Sequence, residues 1–481
     1  MKIISSFLFF SILITFPILS LAQDRPNILW INSDDLGVEL ACYGNKDVKT
    51  PHIDQLAKQG TLYKNAYATA PVCSTSRSSM ITGMYPPAIN CQDHRTINMT
   101  MLPDGIEPIT TYFKNAGYFC SNGSPADLNK KGKEDFNFLN ENLFDGTDWR
   151  QRAKGQAFFA QIQIKQPHRP FVRDLKNPID PQSVTLPACY PDYPLLKADW
   201  ALYLESIQDA DRQVGEIMER LEKDGLLENT IIFFFGDNGR PHLRDKQFLY
   251  EGGLKVPLIV RYPKLLKAGK IDQQLVSLID VTATSLALSN IEVPKHIQGN
   301  VFLGKNSSQR KYVYGFRDRT GDAIENMRSI TDGRYKLIWN RTPDRSWMQL
   351  TSYKKLEYPA FALYHYLYEK GELKAPFNQF MADTKPEVEL FDLKKDPMEF
   401  NNLENSFKHQ KIKSVLLSKL QKDMVFFEKN RIQENAATEK EAMESSVKYY
   451  KKGLMEENLG LKVDATYEQI VKKWEKELLL K

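Results

Sequence analysis

The run at 230–235, Thr-Ile-Ile-Phe-Phe-Phe, is the feature that most restricts how this chain can fold. An apolar run without polar alternation predicts a central strand that is buried on both faces of a sheet. Further strands are predicted at 26–32 and 156–164, and a long amphipathic helix is predicted at 199–223. This alternation predicts an α/β fold with a largely parallel sheet, helices on both faces and a site at the carboxyl ends of the strands.

Towards the C-terminus the sequence changes character. A hairpin is predicted at 326–339, because Asp332-Gly333 is a favoured two-residue turn between alternating apolar residues. Another strand is predicted at 389–393, and the segment 433–481 has the charged composition of a helical tail. The 481 residues are therefore expected to form an N-terminal domain at 23–305 and a smaller C-terminal domain at 306–481.

The first 22 residues have the pattern of a secretory signal peptide. A charged start precedes an apolar run, and Ser20-Leu21-Ala22 predicts cleavage near Ala22. The apolar run is too short for a membrane anchor and contains Pro17, so we expect an exported protein without an anchor. A net charge of +5 on 481 residues is mild and gives no indication of nucleic-acid binding.

Oxygen-bearing side chains follow two of the predicted strands directly. Asp34 and Asp35 come after the first strand, and Asp237 and Asn238 come after the run at 230–235. Two such pairs at the same edge of a sheet can hold a hard divalent cation, which prefers oxygen ligands. The alternative is that these residues only form turns and cap helices.

The stretch at 69–83 is predicted to be a loop that continues into the first turns of a helix. Cys73 would then lie at a helix N-terminus beside Arg77, a setting that suits an anion. The alternative is a buried structural cysteine. The remaining cysteines leave the disulfide pairing open, since they allow three pairings or none; they are Cys42, Cys91, Cys120 and Cys189.

The order Cys73-Ser-Thr-Ser-Arg77, followed by Thr82-Gly83, resembles the C-x-P-x-R signature of the type I, formylglycine-dependent sulfatases of the alkaline phosphatase superfamily. Further runs resemble that family in the same order, at 50–57, 166–171, 246–258 and 389–403. The pattern is similar to heparan-type sulfamidases and bacterial glycan sulfatases. The resemblance implies a large mixed, mostly parallel sheet flanked by helices, and a smaller C-terminal domain with an antiparallel sheet and a packed helix.

The resemblance also implies the chemistry. Cys73 would be oxidised by a maturase to formylglycine, the nucleophile, and one calcium ion would be held by Asp34, Asp35, position 73, Asp237 and Asn238. Arg77, His168 and Lys246 would act in catalysis on a sulfated carbohydrate. The basic residues expected to bind the substrate are His94, Arg95, Arg169, His242 and Arg244.

Two positions depart from the family pattern. Thr75 stands where the family usually has proline, and 124–127 replaces the family's G-K-x-H. Asp127 is the predicted replacement base, and Lys130, Lys131 or Lys133 is expected to supply the missing positive charge. Two other functions remain open: a phosphodiester or phosphonate hydrolase of the same superfamily, and a non-catalytic relative that binds sulfated glycans. The glycan and the oligomeric state are not indicated by the sequence.

Overall fold

The computed structural model describes residues 25–125, 127–457 and 459–479. The predicted signal peptide at 1–22 lies outside these residues. Within the described part of the chain, every helix is too short or too polar to cross a bilayer.

A seven-stranded sheet forms the centre of the molecule. Its strands are β1 (Asn27–Ser33), β2 (Thr61–Tyr67), β3 (Phe119–Gly123), β4 (Phe158–Ile164), β5 (Thr230–Gly236), β6 (Lys255–Arg261) and β7 (Lys270–Ser277). They are arranged in the order β3-β4-β1-β5-β6-β2-β7, and β6 alone runs against the others. The predicted mixed, mostly parallel sheet is therefore confirmed.

Helices cover both faces of this sheet, as predicted. The helices of the structure are α1 (Pro51–Gln59), α2 (Cys73–Thr82), α3 (Ile109–Asn115), α4 (Pro194–Lys223), α5 (Glu251–Leu254), α6 (Leu278–Leu288), α7 (Ser352–Glu357), α8 (Pro359–Glu369), α9 (Gln410–Phe427), α10 (Ala436–Lys452) and α11 (Tyr467–Leu478). One face packs against α1 and α4, and the other packs against α2, α3 and α6. The long helix α4 begins earlier than predicted, because Pro194 takes the first helical position, where its missing N–H is not needed.

The central strand β5 shows why an unbroken apolar run was required. Phe234 points into the layer that contains α4, while Phe233 and Phe235 point into the layer that contains α2. All three side chains are buried, so both faces of the strand lose apolar surface to the core.

A second, antiparallel sheet follows in the order β11-β10-β9-β8. Its strands are β8 (Val313–Arg317), β9 (Met327–Thr331), β10 (Tyr335–Asn340) and β11 (Val388–Asp392). Helix α9 packs against it through Leu416, Leu420 and Met424. The predicted hairpin, antiparallel sheet and packed helix are thus confirmed, whereas the boundary near residue 305 stays a prediction.

Candidate active site

The site begins with two adjacent strands that end in acidic side chains. Strands β1 and β5 are parallel neighbours, and Ser33 lies opposite Gly236 in their register. Asp34 and Asp237 follow these residues directly, so the sheet brings the carboxylates together. Oxygens of Asp34, Asp35 and Asp237 lie within 4.8 Å of one another, and all three residues are buried.

The donor set of this acidic group fits a hard cation. The Oδ1 atoms of Asp34 and Asn238 are buried and have no hydrogen-bond partner among the described residues. Asn238 Nδ2 donates to Asp35 Oδ1 at 2.8 Å, which holds the amide against the carboxylates. A calcium ion prefers oxygen ligands, so Asp34, Asp35, Asp237 and Asn238 could hold one, with the two unpartnered Oδ1 atoms directly available to the ion.

Cys73 is the first residue of α2 and lies against this acidic group. Val72 is the N-cap and makes no side-chain cap, so the N-terminus is open, while Gly83 ends the helix in the left-handed conformation. The Sγ atom is 3.3 Å from Lys246 Nζ and 3.7 Å from Asp35 Oδ1. Burial raises the pKa of the Cys73 thiol well above its ordinary value. Because the thiolate is the reactive form of cysteine, the unmodified side chain is a poor nucleophile here.

Three buried or half-buried cations face the three carboxylates one to one. Arg77 Nε donates to Asp237 Oδ2 at 2.8 Å, and Lys133 Nζ donates to Asp34 Oδ2 at 2.7 Å. Lys246 Nζ donates to both oxygens of Asp35, each at 2.7 Å. The cluster formed by these six side chains and Cys73 is called the central cluster below.

The carboxylates of the central cluster differ in their proton affinity. Burial alone would raise the pKa of Asp34, but Lys133 and Arg77 hold that pKa well below its ordinary value. Burial and the neighbouring Asp34 carboxylate raise the pKa of Asp237 to about 7. The three carboxylates are balanced by three protein cations, yet they lie close enough to repel one another, and a cation bound among their oxygens would relieve this repulsion.

His168 lies at the edge of the central cluster, past the end of β4. Its Nδ1 is 2.5 Å from the carbonyl oxygen of Arg169, which assigns the proton to Nδ1. Its Nε2 is 3.7 Å from Asp35 Oδ2, and burial lowers the pKa of the ring. The neutral ring thus presents a free Nε2 to the site.

A cavity of about 470 Å³ opens above Cys73, Lys246 and His168. Two predicted substrate-binding residues, His94 and Arg95, lie on its wall. His94 Nδ1 is 2.8 Å from Ser74 Oγ, and Arg95 forms a paired contact with Asp135 at 3.0 and 3.1 Å. The cavity is wide enough for a sugar-sized ligand.

The remaining wall of the cavity comes from elements for which the sequence indicated no site role. Tyr353 of α7 contributes a ring 6.0 Å from that of His168, and its buried hydroxyl has no hydrogen-bond partner among the described residues. Helix α10 contributes Ser445, Ser446 and Tyr449. The C-terminal tail is therefore part of the site, although no motif marked it.

Polar contacts fix this C-terminal segment beside the cavity. Glu434 receives a hydrogen bond from Thr96 at 2.9 Å and one from Arg319 at 2.8 Å. Asn98 Nδ2 donates to Thr438 Oγ1 at 2.9 Å. Since His94 and Arg95 belong to the loop that carries Thr96 and Asn98, the tail and the loop hold each other in place.

The same loop contains a carboxylate that makes stability depend on pH. Burial, with the nearby Asp318 and Glu434 carboxylates, raises the pKa of Asp93 to about 7. The folded state therefore holds a proton that the unfolded state releases near pH 4, and this stabilisation is lost as the pH rises through 7. Between pH 5 and 8, we expect the wild type to lose about 2 to 3 kcal/mol of unfolding free energy relative to Asp93→Asn. Urea titrations across this range measure the difference, and parallel pH curves would contradict it.

Three of the predicted substrate-binding residues lie outside the wall of the cavity above Cys73. Arg169 is buried and forms a paired contact with Asp199 at 2.5 and 2.7 Å. His242 is buried among aromatic rings, with those of Trp200 and Tyr203 each 4.9 Å away. Arg244 is buried and donates to backbone carbonyls at 2.5 and 2.6 Å. These three residues support the fold near the site, and their predicted contact with the substrate stays a prediction.

Asp127 is also outside the central cluster. It is exposed in a turn, where its carboxylate accepts a hydrogen bond from the backbone N–H of Asn129 at 3.0 Å. Of the three lysines considered for the missing charge, Lys133 is the one that reaches the cluster. Gln163 is a further neighbour that sequence reasoning missed, and its Oε1 accepts from Arg77 at 2.7 Å. Its place on the predicted strand β4 was the available signal.

All five cysteines lie in the described part of the chain and are free. Of the alternatives left open by the sequence, the structure therefore supports the one without disulfide bonds. Cys91, Cys120 and Cys189 are buried in the core, in the manner of small apolar side chains.

These features define an α/β enzyme whose site lies at the carboxyl ends of its strands. They are a mostly parallel sheet, acidic residues at the strand ends, a cation facing each carboxylate, and a cysteine at a helix N-terminus. The pattern of the Sulfatase family matches residues 26–291, more than half of the chain. The pattern described as N-sulphoglucosamine sulphohydrolase, C-terminal, matches residues 239–352. The chain belongs to the sulfatase family.

Individual proteins agree with this assignment. An ulvan-active sulfatase of Formosa agariphila is 32% identical over 441 residues, covering 80% of this chain and 72% of that protein. A solved structure that holds its substrate, D-glucosamine-2-N,6-O-disulfate, has a TM-score of 0.60 at 18% identity over 84% of this chain and 99% of its own. The phosphonate monoester hydrolase of Agrobacterium radiobacter also has a TM-score of 0.60, at 18% identity over 86% and 97%. The last two similarities concern the fold alone.

Proposed function

We propose that this protein hydrolyses sulfate esters, or N-sulfate groups, of a sulfated glycan, after export and after a maturase has converted Cys73 to formylglycine. The observation that carries the proposal is the contact of Cys73 with Lys246 and Asp35 at the open N-terminus of α2, 3.3 and 3.7 Å from Sγ. Support for the substrate class comes from the ulvan-active relative and from the description of the second matching family.

Two groups would complete the site. Formylglycine, as its hydrate, would supply the nucleophilic oxygen, and calcium would supply positive charge against the sulfate oxygens. Asp34, Asp35, Asp237 and Asn238 are the residues that would hold the ion. Because three carboxylates already face three cations, an added divalent ion leaves an excess of positive charge, and that excess suits an anionic ester.

The protein's own side chains then have distinct tasks. Lys246 and Arg77 stabilise negative charge that develops on the sulfate oxygens, since both are fixed by carboxylates before the substrate arrives. Lys133 adds charge from the side of Asp34. His168 takes up a proton at Nε2 as the anionic substrate binds and gives it to the leaving oxygen or nitrogen, while the Arg169 carbonyl holds its Nδ1–H. Tyr353 and α10 face the sugar.

The proposal is tested by comparing 4-nitrophenyl sulfate with 4-nitrophenyl phosphate and a phenyl phosphonate ester. We expect kcat/KM for the sulfate ester to exceed kcat/KM for the phosphate and phosphonate esters by about 100-fold or more. The reason is that the charges of the central cluster suit a monoanionic sulfate ester. Faster phosphate or phosphonate turnover would favour the other hydrolase class, whose fold this chain shares. Ulvan oligosaccharides and D-glucosamine-2-N,6-O-disulfate extend the comparison to sugars.

Calcium removal tests the metal site separately. We expect EGTA to abolish turnover and added calcium to restore it, and at 100 times Kd calcium should raise Tm by about 2 to 3 °C. Asp237→Asn should lose this rise. Asp211→Asn is the matched control, because Asp211 is equally buried but binds the backbone N–H of Ile53 instead. A calcium-induced rise that survives in Asp237→Asn would contradict the site.

A further inference from the structure

A second cleft opens on the central cluster from another side. Its volume is about 340 Å³, and its floor includes Asp34, Arg77 and His168. The cations along it are Arg95, Lys130, Lys131, Lys133 and Lys165. We call this feature the basic cleft. Arg95 and His168 also line the larger cavity above Cys73, so one extended ligand can occupy both spaces.

The charges of the basic cleft are only partly neutralised by the protein. Arg95 is paired with Asp135, Lys131 lies 2.8 Å from Glu134, and Lys133 lies 2.7 Å from Asp34. Lys130 and Lys165 are exposed and form no ion pair with any residue in the described ranges. On a chain with a net charge of only +5, two unpaired ammonium groups in one cleft beside the site are a local concentration of charge.

The backbone that carries these two lysines is held in place. The Lys130 N–H donates to the carbonyl oxygen of Asp127 at 3.0 Å, and the Lys165 carbonyl accepts from the His168 N–H at 3.0 Å. Asn122 Nδ2 donates to the Gly132 carbonyl at 3.0 Å and so fastens the loop between Lys130 and Lys133 to β3. The two ammonium groups are thus presented by ordered segments on either side of the cleft.

We infer that the basic cleft binds a second anionic group of the substrate, a sulfate or carboxylate on the sugar next to the one whose sulfate enters the central cluster. The inference rests on the proposed function and narrows its substrate class to oligosaccharides with acidic groups on adjacent sugars. Lys130 and Lys165 recognise the anion, whereas Lys133 serves the central cluster. A monosaccharide sulfate would leave both ammonium groups in water.

The test is calorimetric binding to the double variant Lys130→Ala/Lys165→Ala. The probes are heparin oligosaccharides, ulvan oligosaccharides and inorganic sulfate. For its binding, inorganic sulfate requires the central cluster alone. We expect at least one oligosaccharide to bind about tenfold more weakly to the variant, with a smaller dependence on salt. Binding of inorganic sulfate should be unchanged. Heparin oligosaccharides with reduced carboxylates distinguish a carboxylate from a sulfate as the bound group.

Lys58→Ala/Lys267→Ala is the matched control. Both lysines are exposed and lie near the end of β6, at the end of the sheet that is opposite to the site, so the affinity for the oligosaccharides should not change. Three outcomes would overturn the inference. The oligosaccharides could bind wild type and Lys130→Ala/Lys165→Ala with the same affinity, the variant could bind inorganic sulfate as much more weakly as it binds the oligosaccharides, or neither oligosaccharide could bind the wild type. Binding needs no turnover, so the two proposals can fail separately. If the wild type has no hydrolytic activity but Lys130→Ala/Lys165→Ala selectively loses affinity for the oligosaccharide, the hydrolysis proposal is refuted and the anion site stands.

Discussion

Cys73→Ser, produced in a host whose maturase accepts only cysteine, is expected to lose 4-nitrophenyl sulfate turnover by about 1,000-fold or more. Serine has nearly the size of cysteine, so the start of α2 and its contacts with Asp35 and Lys246 should survive. What disappears is the atom from which the proposed nucleophile is made. Steady-state kinetics measure the loss, and thermal unfolding checks that the variant is folded.

Cys91→Ser provides the control for this experiment. Cys91 is as fully buried as Cys73, but its Sγ lies against the carbonyl oxygens of Ile89 and Asn137 at 3.3 and 3.6 Å, outside the central cluster. Its turnover should stay within about threefold of the wild type. Retained turnover in Cys73→Ser would remove Cys73 from the mechanism.

The mass of the tryptic peptide that contains position 73 complements the kinetics. A formylglycine mass is expected after coexpression with a maturase, despite Thr75. An unmodified cysteine with several maturases, together with glycan binding but no sulfate release, would favour the non-catalytic relative.

Lys246→Met is the second substitution with a large expected effect, a fall in kcat of about 100- to 1,000-fold. Methionine keeps most of the length and volume of lysine but lacks the ammonium group, which donates hydrogen bonds to both oxygens of Asp35 at 2.7 Å. Because this charge acts on oxygens that become more negative in the transition state, kcat should fall more than KM rises. Steady-state kinetics on 4-nitrophenyl sulfate separate the two parameters.

Two companions sharpen this result. Lys246→Arg keeps the charge but spreads it over a planar group, so its kcat should lie between those of wild type and Lys246→Met. Lys255→Met removes a lysine nine positions further on, which pairs with Glu251 at 3.3 Å outside the central cluster, and should leave kcat unchanged. A Lys246→Met enzyme with more than a tenth of the wild-type kcat would contradict the role of Lys246.

The sheet was predictable because its signal is local. The run at 230–235 is uninterrupted, and it is β5, buried on both faces. The reversal of β6 was not predictable, because it depends on which neighbours that strand meets and not on its own residues. Helix α10 had a helical composition, but its place beside Tyr353 depends on contacts such as that between Glu434 and Arg319, 115 residues apart.

The same distinction applies to the site. Asp34 and Asp237 directly follow paired strands, so the register of the sheet alone brings them together. Arg169, a basic residue in a promising loop, pairs instead with Asp199, 30 positions away on α4. Arg244 reaches carbonyl groups more than 150 residues away. Spacing along the chain cannot distinguish an arginine that awaits a ligand from one that the fold already uses.

The burial of Cys73 also has a consequence for the order of events during biosynthesis. The Cys73 side chain is 1% exposed, and the following residues through Arg77 are at most 2% exposed within the first turns of α2. An oxidising enzyme cannot reach this sulfur in the finished fold. We therefore expect modification to precede folding, so that a chain that folds first stays permanently unmodified, and late addition of a maturase to purified protein cannot rescue it.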